Sequence, residues 1–391
     1  MTKQEIPNIR FKNYTDAWEQ RKLGEVAKMY QPITISQSDL IPDISGVPAF
    51  GANGYIGYYH KANHEKDQVT VSARGENTGV PSFVKGPVWI TGNSMVINVE
   101  DNEKVDKYFL YSSLKSRSLK KYVTGGAQPQ LTREVLNTII KSFPSLPEQS
   151  AIGDFFRQLD TLLTLHQRKL NELKSFKSTM LSKMFPKHGQ TVPEIRLAGF
   201  DGEWEKTKLR DVSERVQGND GRMDLPTLTI SAAQGWLSQK DRFSQNIAGK
   251  EQKNYTLLKR GELSYNHGNS KLAKYGVVFE LNNYEEALVP RVYHSFKVNE
   301  LANPRFIETM FATKQPDREL RKLVSSGARM DGLLNINYDD FMGISIIIPT
   351  VHEQETIGEF FSNLDDLISS TQSKIEELET LKKKLLQEMF V

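Results

Sequence analysis

The chain has 391 residues, which is enough for two or three domains that each bury a core of their own. Its 51 basic and 48 acidic residues leave a net charge of +3, well below the basicity expected of a free-standing nucleic-acid-binding protein, so any such role must rest on local patches or on partners that supply charge. The absence of cysteine excludes disulfide scaffolds, thiolate metal sites and cysteine nucleophiles.

The start of the chain shows no targeting signal. Residues 1–11 lack a basic segment followed by an apolar run, and no apolar stretch elsewhere is long enough to cross a bilayer. We therefore expect a soluble cytoplasmic protein that makes no contact with a membrane.

The opening segment of the chain occurs twice. The residues Pro7, Ile9, Arg10, Trp18, Glu19, Leu23 and Val26 recur at constant spacing as Pro193, Ile195, Arg196, Trp204, Glu205, Leu209 and Val212. This repeat indicates that two halves of the chain begin in the same way.

The first insert, residues 26–146, is rich in strand and turn signals. Residues 51–57, 69–72 and 88–97 predict short strands broken by glycine and asparagine turns, and residues 104–121 have a helical pattern. A mixed α/β globular module is the best interpretation of this insert.

A long helix is predicted after each insert. Residues 147–185 and 352–390 align without a gap, neither contains an internal proline, and helix-forming residues dominate both. Apolar residues recur at alternating spacings of three and four, which is the pattern of a coiled-coil seam. The seam residues are Leu159, Leu163, His166, Leu170 and Leu173 in the first helix and Leu364, Ile368, Thr371, Ile375 and Leu378 in the second.

Both seams are interrupted by polar residues at the same two positions, His166/Thr371 and Lys177/Lys382. The simplest partner for each helix is therefore the other one, because a shared polar position fixes register and orientation. The alternative is two unconnected core helices in separate domains. We interpret His166 as a packing residue, not as a ligand.

The second insert, residues 212–348, resembles the first in its pattern. Residues 227–230, 276–279 and 292–298 predict strands, and residues 303–324 predict helix, while residues 185–192 form a linker. The two inserts differ, but each follows the same opening segment and precedes the same long helix. We therefore predict a mixed α/β (α+β) protein with two globular modules separated by two long helices. The helices are expected to pack as an antiparallel coiled coil, which gives the chain pseudo-two-fold symmetry. The expected boundaries are 1–146, 147–186, 187–348 and 349–391, and the residues before Trp18 are expected to lie beside the end of the second helix.

No catalytic constellation emerges from the sequence. Residues 51–57 lack the spacing of a dinucleotide-binding loop, no GK[ST] phosphate loop exists, and the histidines show no metal spacing. Residues 303–306 resemble an adenine-methyltransferase motif with arginine in place of a proline, and Asp241 with Glu251 and Lys253 fits a loose nuclease pattern. We assign neither, and we expect no catalytic residue, no metal and no cofactor bound by this chain.

Polar, glycine-containing loops follow strands in both inserts, notably residues 72–79 and 265–271. Such residues bind base edges and phosphates, although each loop taken alone could be ordinary surface. The candidate DNA-binding residues of the first insert are Asn53, Tyr55, Ser72, Arg74, Asn77, Thr78, Asn93, Gln128 and Gln130. Those of the second are Gln234, Trp236, Asn266, His267, Asn269, Ser270, Lys271, Arg291, Tyr293 and Arg329.

The duplicated signature carries a family resemblance. The pattern PxxPEQxxIGxFFxxLD at residues 144–160, its repeat at residues 349–365, the opening PxIRF and the GGAQPQ of residues 125–130 resemble the specificity subunit of type I restriction-modification systems. The second copy departs from this pattern at His352, and residues 327–331 replace GGAQPQ.

The resemblance implies that each insert is a target recognition domain for one half of a bipartite, asymmetric double-stranded DNA site. It also implies that two methyltransferase subunits dock on the chain and restriction subunits join them. Those partners would methylate adenine N6 with S-adenosylmethionine and use ATP and Mg²⁺, while this chain is not itself an enzyme. An alternative function is a coiled-coil scaffold that joins two modules binding ligands other than DNA.

Overall fold

The computed structural model describes residues 6–243, 249–268, 270–324 and 334–391. These residues form two compact units, of which unit 1 comprises Met1–Lys169 and Thr371–Val391, and unit 2 comprises Leu170–Ser370. The boundary between the units therefore falls inside both long helices. None of the helices in the described ranges is long and apolar enough to span a membrane.

Unit 1 contains a four-stranded antiparallel sheet in the order β2-β8-β5-β6, a three-stranded sheet β4-β3-β7 and a pair β1-β9. Its strands are β1 (Glu19–Lys22), β2 (Lys28–Tyr30), β3 (Val47–Gly51), β4 (Gly54–Tyr59), β5 (Gln68–Ser72), β6 (Pro81–Val84), β7 (Trp89–Ile90), β8 (Ser94–Asn98) and β9 (Ile140–Phe143). Its helices are α1 (Leu23–Val26), α2 (Lys107–Ser116), α3 (Arg133–Thr138) and the first part of α4 (Leu146–Lys183).

The four-stranded sheet of unit 1 is buried on both faces. Met95 and Ile97 of β8 belong to the main core, with Phe109 of α2, whereas Val96 between them packs into a second cluster with Phe50 and Ile90. This alternation follows from the two-residue period of a strand. Strand β5 is buried along its whole length, so packing fixes the position of its end at Ser72, where a polar loop begins.

Unit 2 repeats this arrangement, with a four-stranded antiparallel sheet in the order β11-β18-β15-β16 and the pairs β10-β19, β12-β13 and β14-β17. Its strands are β10 (Glu205–Lys208), β11 (Ser213–Arg215), β12 (Leu228–Ser231), β13 (Gly235–Ser238), β14 (Thr256–Lys259), β15 (Leu263–Asn266), β16 (Val277–Glu280), β17 (Glu286–Val289), β18 (His294–Val298) and β19 (Ser345–Ile348). The helices are α5 (Gln239–Phe243), α6 (Pro304–Ala312), α7 (Asp317–Leu323), α8 (Tyr338–Met342) and part of α9 (Val351–Glu388).

Helices α4 and α9 have 38 residues each, which at 1.5 Å per residue makes rods of about 57 Å. Helix α4 begins one residue earlier than the pattern suggested, at Leu146, because Pro147 fits in a first turn where its missing N–H is not needed. The predicted fold class is confirmed: two globular modules of mixed helix and sheet, with two long helices.

The two long helices run antiparallel within each unit. In unit 1 the rings of Phe156 and Phe390 lie 5.8 Å apart, and Asp160 pairs with Lys382 further along α4. In unit 2 the equivalent residues do the same, since Phe185 lies 6.4 Å from Phe361 and Lys177 pairs with Asp365. The lysines that interrupt the seam thus meet the aspartates of the signature.

The seam positions are turned inward. Leu159, Leu170, Leu364, Thr371, Ile375 and Leu378 are buried, and Leu163, His166, Leu173 and Ile368 are half-buried. Most of the other residues along the middle of both helices are exposed.

The signature residues at the start of each long helix hold it to its own domain. The guanidinium of Arg10 donates two hydrogen bonds to the buried carboxylate of Glu148, at 2.6 and 2.7 Å. Arg196 binds Glu353 in the same way at 2.8 and 2.6 Å. These bonds raise the pKa of both arginines, so the guanidinium stays charged.

The glutamine that follows each glutamate binds the backbone just before a helix of the globular domain, α2 in unit 1 and α6 in unit 2. Gln149 donates to the carbonyl oxygens of Pro144 and Lys104 and accepts from the backbone N–H of Asp106. Gln354 makes the equivalent bonds to Pro349, Leu301 and Asn303. Gly153 is needed at this contact, because a Cβ there would lie 3.0 Å from the backbone nitrogen of Phe109.

The opening repeat lies beside the ends of the long helices. In unit 1 the backbone N–H of Ile9 donates to the carbonyl of Glu388 at 3.0 Å, and in unit 2 Ile195 donates to Lys183 at 2.9 Å. The two N-terminal segments therefore occupy equivalent places, as the paired repeats in the sequence suggested.

Candidate nucleic-acid interface

The polar loops of unit 1 converge where β5 ends and β8 begins. The hydroxyl of Ser72 donates to the carbonyl of Ala52 at 2.6 Å, and the N–H of Ala73 donates to the carbonyl of Asn93 at 2.9 Å. The amide of Asn77 donates to that of Asn53 at 3.0 Å. Three loops that are distant in sequence thus form one surface.

The GGAQPQ segment joins this surface as a fourth loop. Arg74 and Gln130 face each other in a short antiparallel bridge, and the N–H of Leu131 donates to the carbonyl of Ala73 at 3.0 Å. The turn requires glycine, because Gly125 has a φ of 97° and a Cβ there would lie 2.3 Å from the carbonyl oxygen of Gln128.

The candidate residues of unit 1 divide into an exposed and a buried group. The side chains of Asn53, Tyr55, Arg74, Asn77, Asn93 and Gln128 are exposed, and Gln130 is half-buried. Ser72 and Thr78 are buried, and the hydroxyl of Thr78 donates within the loops to the carbonyls of Gly75 and Pro129. These two side chains therefore shape the loops, and the exposed ones face outward.

A cleft of 460 Å³ opens beside these loops. Its polar lining includes Gln31, Arg74, Gln130, Arg133 and Glu134. Gln31, Arg133 and Glu134 were not among the sequence candidates, because nothing local distinguishes them from ordinary surface residues. Only the packing of α3 and of the end of β2 against the loop surface brings them together.

The basic residues Arg117 and Lys121 lie on the segment after α2, close enough to Lys141 of β9 for their charges to act on it. Lys141 is buried and donates to the carbonyl of Ser113 at 2.5 Å. Burial lowers the pKa of Lys141 to about 8, and the charges of Arg117 and Lys121 contribute to this lowering.

The loops of unit 2 meet at the equivalent end of its sheet, where β15 ends and β18 begins. The amide of Asn266 donates to the carbonyl of Ile230 at 3.2 Å, which ties the end of β15 to the end of β12. The Tyr293 hydroxyl lies 2.9 Å from that of Thr229 and accepts from the N–H of Ile230 at 3.2 Å.

The candidate residues of unit 2 also divide by exposure. Gln234, Ser270, Lys271 and Arg291 are exposed, and Trp236 and Asn266 are half-buried. His267 and Tyr293 are buried, and the imidazole of His267 lies within hydrogen-bond distance of the carbonyls of Leu334 and Val292. Asn269 and Arg329 lie outside the residues that the structure describes.

The neighbouring histidine of this loop surface is held neutral. His294 stacks on His267 with the ring centroids 4.9 Å apart, and its Nε2 lies 2.9 Å from the carbonyl oxygen of Ile336. Burial lowers the pKa of His294 to about 4, and the nearby charges of His267 and Arg215 act in the same direction. The His294 imidazole therefore acts as a packing group beneath the loops.

A second cleft, of 700 Å³, opens at these loops. Its lining is largely apolar and includes Ala232, Leu272 and Val292, and its charged side chains among the described residues are Arg242 and Lys271. The two units thus present equivalent surfaces with different chemistry.

Comparison with known proteins agrees with this arrangement. The model of the type I restriction modification DNA specificity domain matches residues 15–175. The specificity subunit of the type I restriction enzyme MjaVIII of Methanocaldococcus jannaschii is 21% identical over 329 residues, which cover 80% of this chain and 75% of that protein. A putative type I specificity subunit of Mycoplasma genitalium is 24% identical over 156 residues, 38% of this chain and 40% of that protein.

The fold matches as well. The crystal structure of the S subunit of a type I restriction-modification system from M. genitalium superposes with a TM-score of 0.68 at 14% identity, covering 99% of both chains. The two chains therefore share a fold over nearly their whole length. Residues 15–175 thus match a type I restriction modification DNA specificity domain, and most of the chain is similar to type I specificity subunits in sequence and in fold.

Proposed function

We propose that the loop surface of each unit recognises one half of a bipartite, asymmetric DNA sequence and so directs its partner subunits to that site. The observation that supports this most strongly is the identical strand order of the two main sheets, combined with loops that differ in sequence and in chemistry. Recognition of two different half-sites requires two domains with the same sheet but with different loops.

The exposed side chains supply the chemistry for reading base edges. In unit 1, Arg74 can bind guanine, and Asn53, Asn77, Asn93, Gln128 and Gln130 can bind adenine with paired hydrogen bonds. In unit 2, Gln234, Asn266 and Ser270 offer similar groups, while Lys271 and Arg291 can neutralise phosphates.

The partners would be two methyltransferase subunits and the restriction subunits. The chain has no cofactor loop of its own in its sequence. We therefore assign adenine N6 methylation with S-adenosylmethionine, and translocation and cleavage with ATP and Mg²⁺, to those partners. The alternative of a scaffold for ligands other than DNA has no support from the comparisons.

An exchange of inserts tests this function. Residues 26–146 are replaced by the corresponding insert of another specificity subunit, and methylated adenines are mapped in cells that also express the methyltransferase subunit. We expect one half-site to change and the other, with the spacing, to stay the same. A change in both half-sites would contradict the assignment of one half-site to each unit.

A further inference from the structure

The cleft of unit 2 combines an exposed apolar lining with a basic charge. Leu272 is 67% exposed and Val292 46% exposed, although both are large apolar side chains. They line the cleft together with Ile230, Ala232, Ala233 and Val277. Exposed apolar side chains grouped at one cleft indicate a binding surface.

The charged side chains of this cleft are basic, which favours a negatively charged partner. Among the described lining residues, Arg242 and Lys271 are charged and none is acidic. Arg291, next to Val292 in the chain, is exposed as well. An anionic partner that also presents an apolar group fits this lining, and DNA offers such a group in its major groove as the C5-methyl of thymine.

The cleft of unit 1 provides the contrast. It lies at the equivalent end of an equivalent sheet, but its lining includes Gln31, Arg74, Gln130, Arg133 and Glu134. These polar side chains can form hydrogen bonds with base edges, but they offer a methyl group little apolar surface.

We propose that unit 2 recognises its half-site partly through thymine methyl groups, which pack against Leu272 and Val292, whereas unit 1 recognises its half-site through hydrogen bonds. This proposal rests on the proposed function, because it assumes that the loop surfaces bind the two half-sites.

The test replaces single thymines by deoxyuridine, which keeps every hydrogen-bonding group and removes only the methyl group. The chain in complex with its methyltransferase subunits is titrated with duplexes of the mapped recognition sequence, each with one thymine replaced. At least one replacement in the half-site of unit 2 should weaken binding about fourfold, the value of one buried methyl group. Replacements in the other half-site should change binding less than twofold.

The variant Leu272→Ala tests whether the discrimination between thymine and deoxyuridine depends on the cleft. Because the side chain is exposed, the variant should fold normally, and its discrimination between thymine and deoxyuridine should fall below twofold. Leu301→Ala is the matched control, since Leu301 is also exposed, at 53%, in the same unit, but does not line the cleft. This control should keep the fourfold discrimination.

The possible results distinguish failure of methyl recognition from failure of DNA recognition. Sequence-specific binding that is insensitive to every deoxyuridine in the half-site of unit 2 would overturn the methyl-recognition proposal and leave the proposed function standing. Fourfold discrimination that persists in Leu272→Ala would overturn it too. Equal binding of the recognition sequence and a scrambled duplex would overturn the proposed function, and this proposal with it.

Discussion

At the scale of single residues, the ion pairs Arg10–Glu148 and Arg196–Glu353 explain the most characteristic part of the sequence. Both glutamates are buried, and each accepts two hydrogen bonds from its arginine. Each pair fixes the start of a long helix to the opening segment of its own half. The repeat showed that these residues belong together, but not how, because Arg10 and Glu148 are 138 positions apart.

The first prediction concerns this pair. Glu148→Gln should lower the free energy of unfolding of unit 1 by about 3–5 kcal/mol, because the Arg10 side chain, which is only 10% exposed, loses the buried carboxylate that pairs with it. Urea unfolding followed by circular dichroism measures the loss. The control is Glu134→Gln, whose pair with Arg133 is exposed at both ends and should contribute no more than about 1 kcal/mol. Equal losses for the two variants would refute the anchoring role of Glu148.

The second prediction concerns the pH dependence of stability. Burial lowers the pKa of Lys141 to about 8, whereas in the unfolded chain the pKa returns to the ordinary lysine value of 10.5. Between these values the unfolded state binds the additional proton, so the contribution of Lys141 to stability should rise with pH from about 8 to 10.5 and be constant below 8.

The variant Lys141→Met isolates this contribution. The free energy of unfolding of the native chain should rise relative to that of the variant as the pH rises from 8 towards 10. The reason is that Lys141 of the native chain loses its proton, and with it the cost of a buried charge. Urea unfolding at a series of pH values measures the difference. A difference that does not vary with pH would show that the Lys141 ammonium is not penalised by burial.

At the scale of elements, the long helices were predictable because their signal is local. A three- and four-residue periodicity and a repeat without gaps determine helix, length and seam before any packing is known. The meeting of the loops was not predictable in the same way. Arg74 bridges Gln130, and Ser72 binds Ala52, through strand pairings between distant segments. Burial of Ser72, Thr78, His267 and Tyr293 likewise depends on tertiary packing that spacing does not reveal.

The third prediction tests whether α4 and α9 determine the spacing of the half-sites. Seven helix-forming residues are inserted in both helices at the unit boundary, after Lys169 and after Ser370. A heptad keeps the seam on the same face and lengthens each helix by about 10 Å, so the gap between half-sites should grow by about three base pairs. Methylation mapping measures the gap.

An insertion of four residues in α4 alone is the comparison for this experiment. It shifts the seam of one helix against the other, so we expect loss of assembly or an altered spacer. A spacer of unchanged length in the double heptad variant would show that the helices do not set the distance.

At the scale of the whole molecule, one chain carries two units with the same sheet order, the same helix anchors and different loop surfaces. The repeated arrangement of sheet and helices suits the two-part site that we propose, and the unlike inserts suit two different half-sites. The sequence predicted this organisation from its repeats. The separate chemistry of the two clefts became visible only when the lining residues were placed together.

We propose that this chain makes methylation specific for a split DNA sequence. The most direct test expresses the chain with its methyltransferase subunit and maps methylated adenines across a genome by single-molecule sequencing. We expect a motif of two unlike half-sites separated by a spacer of fixed length and unspecified sequence, with one methylated adenine in each half on opposite strands. A continuous motif without a spacer, or no methylated adenine despite a stable complex, would contradict it.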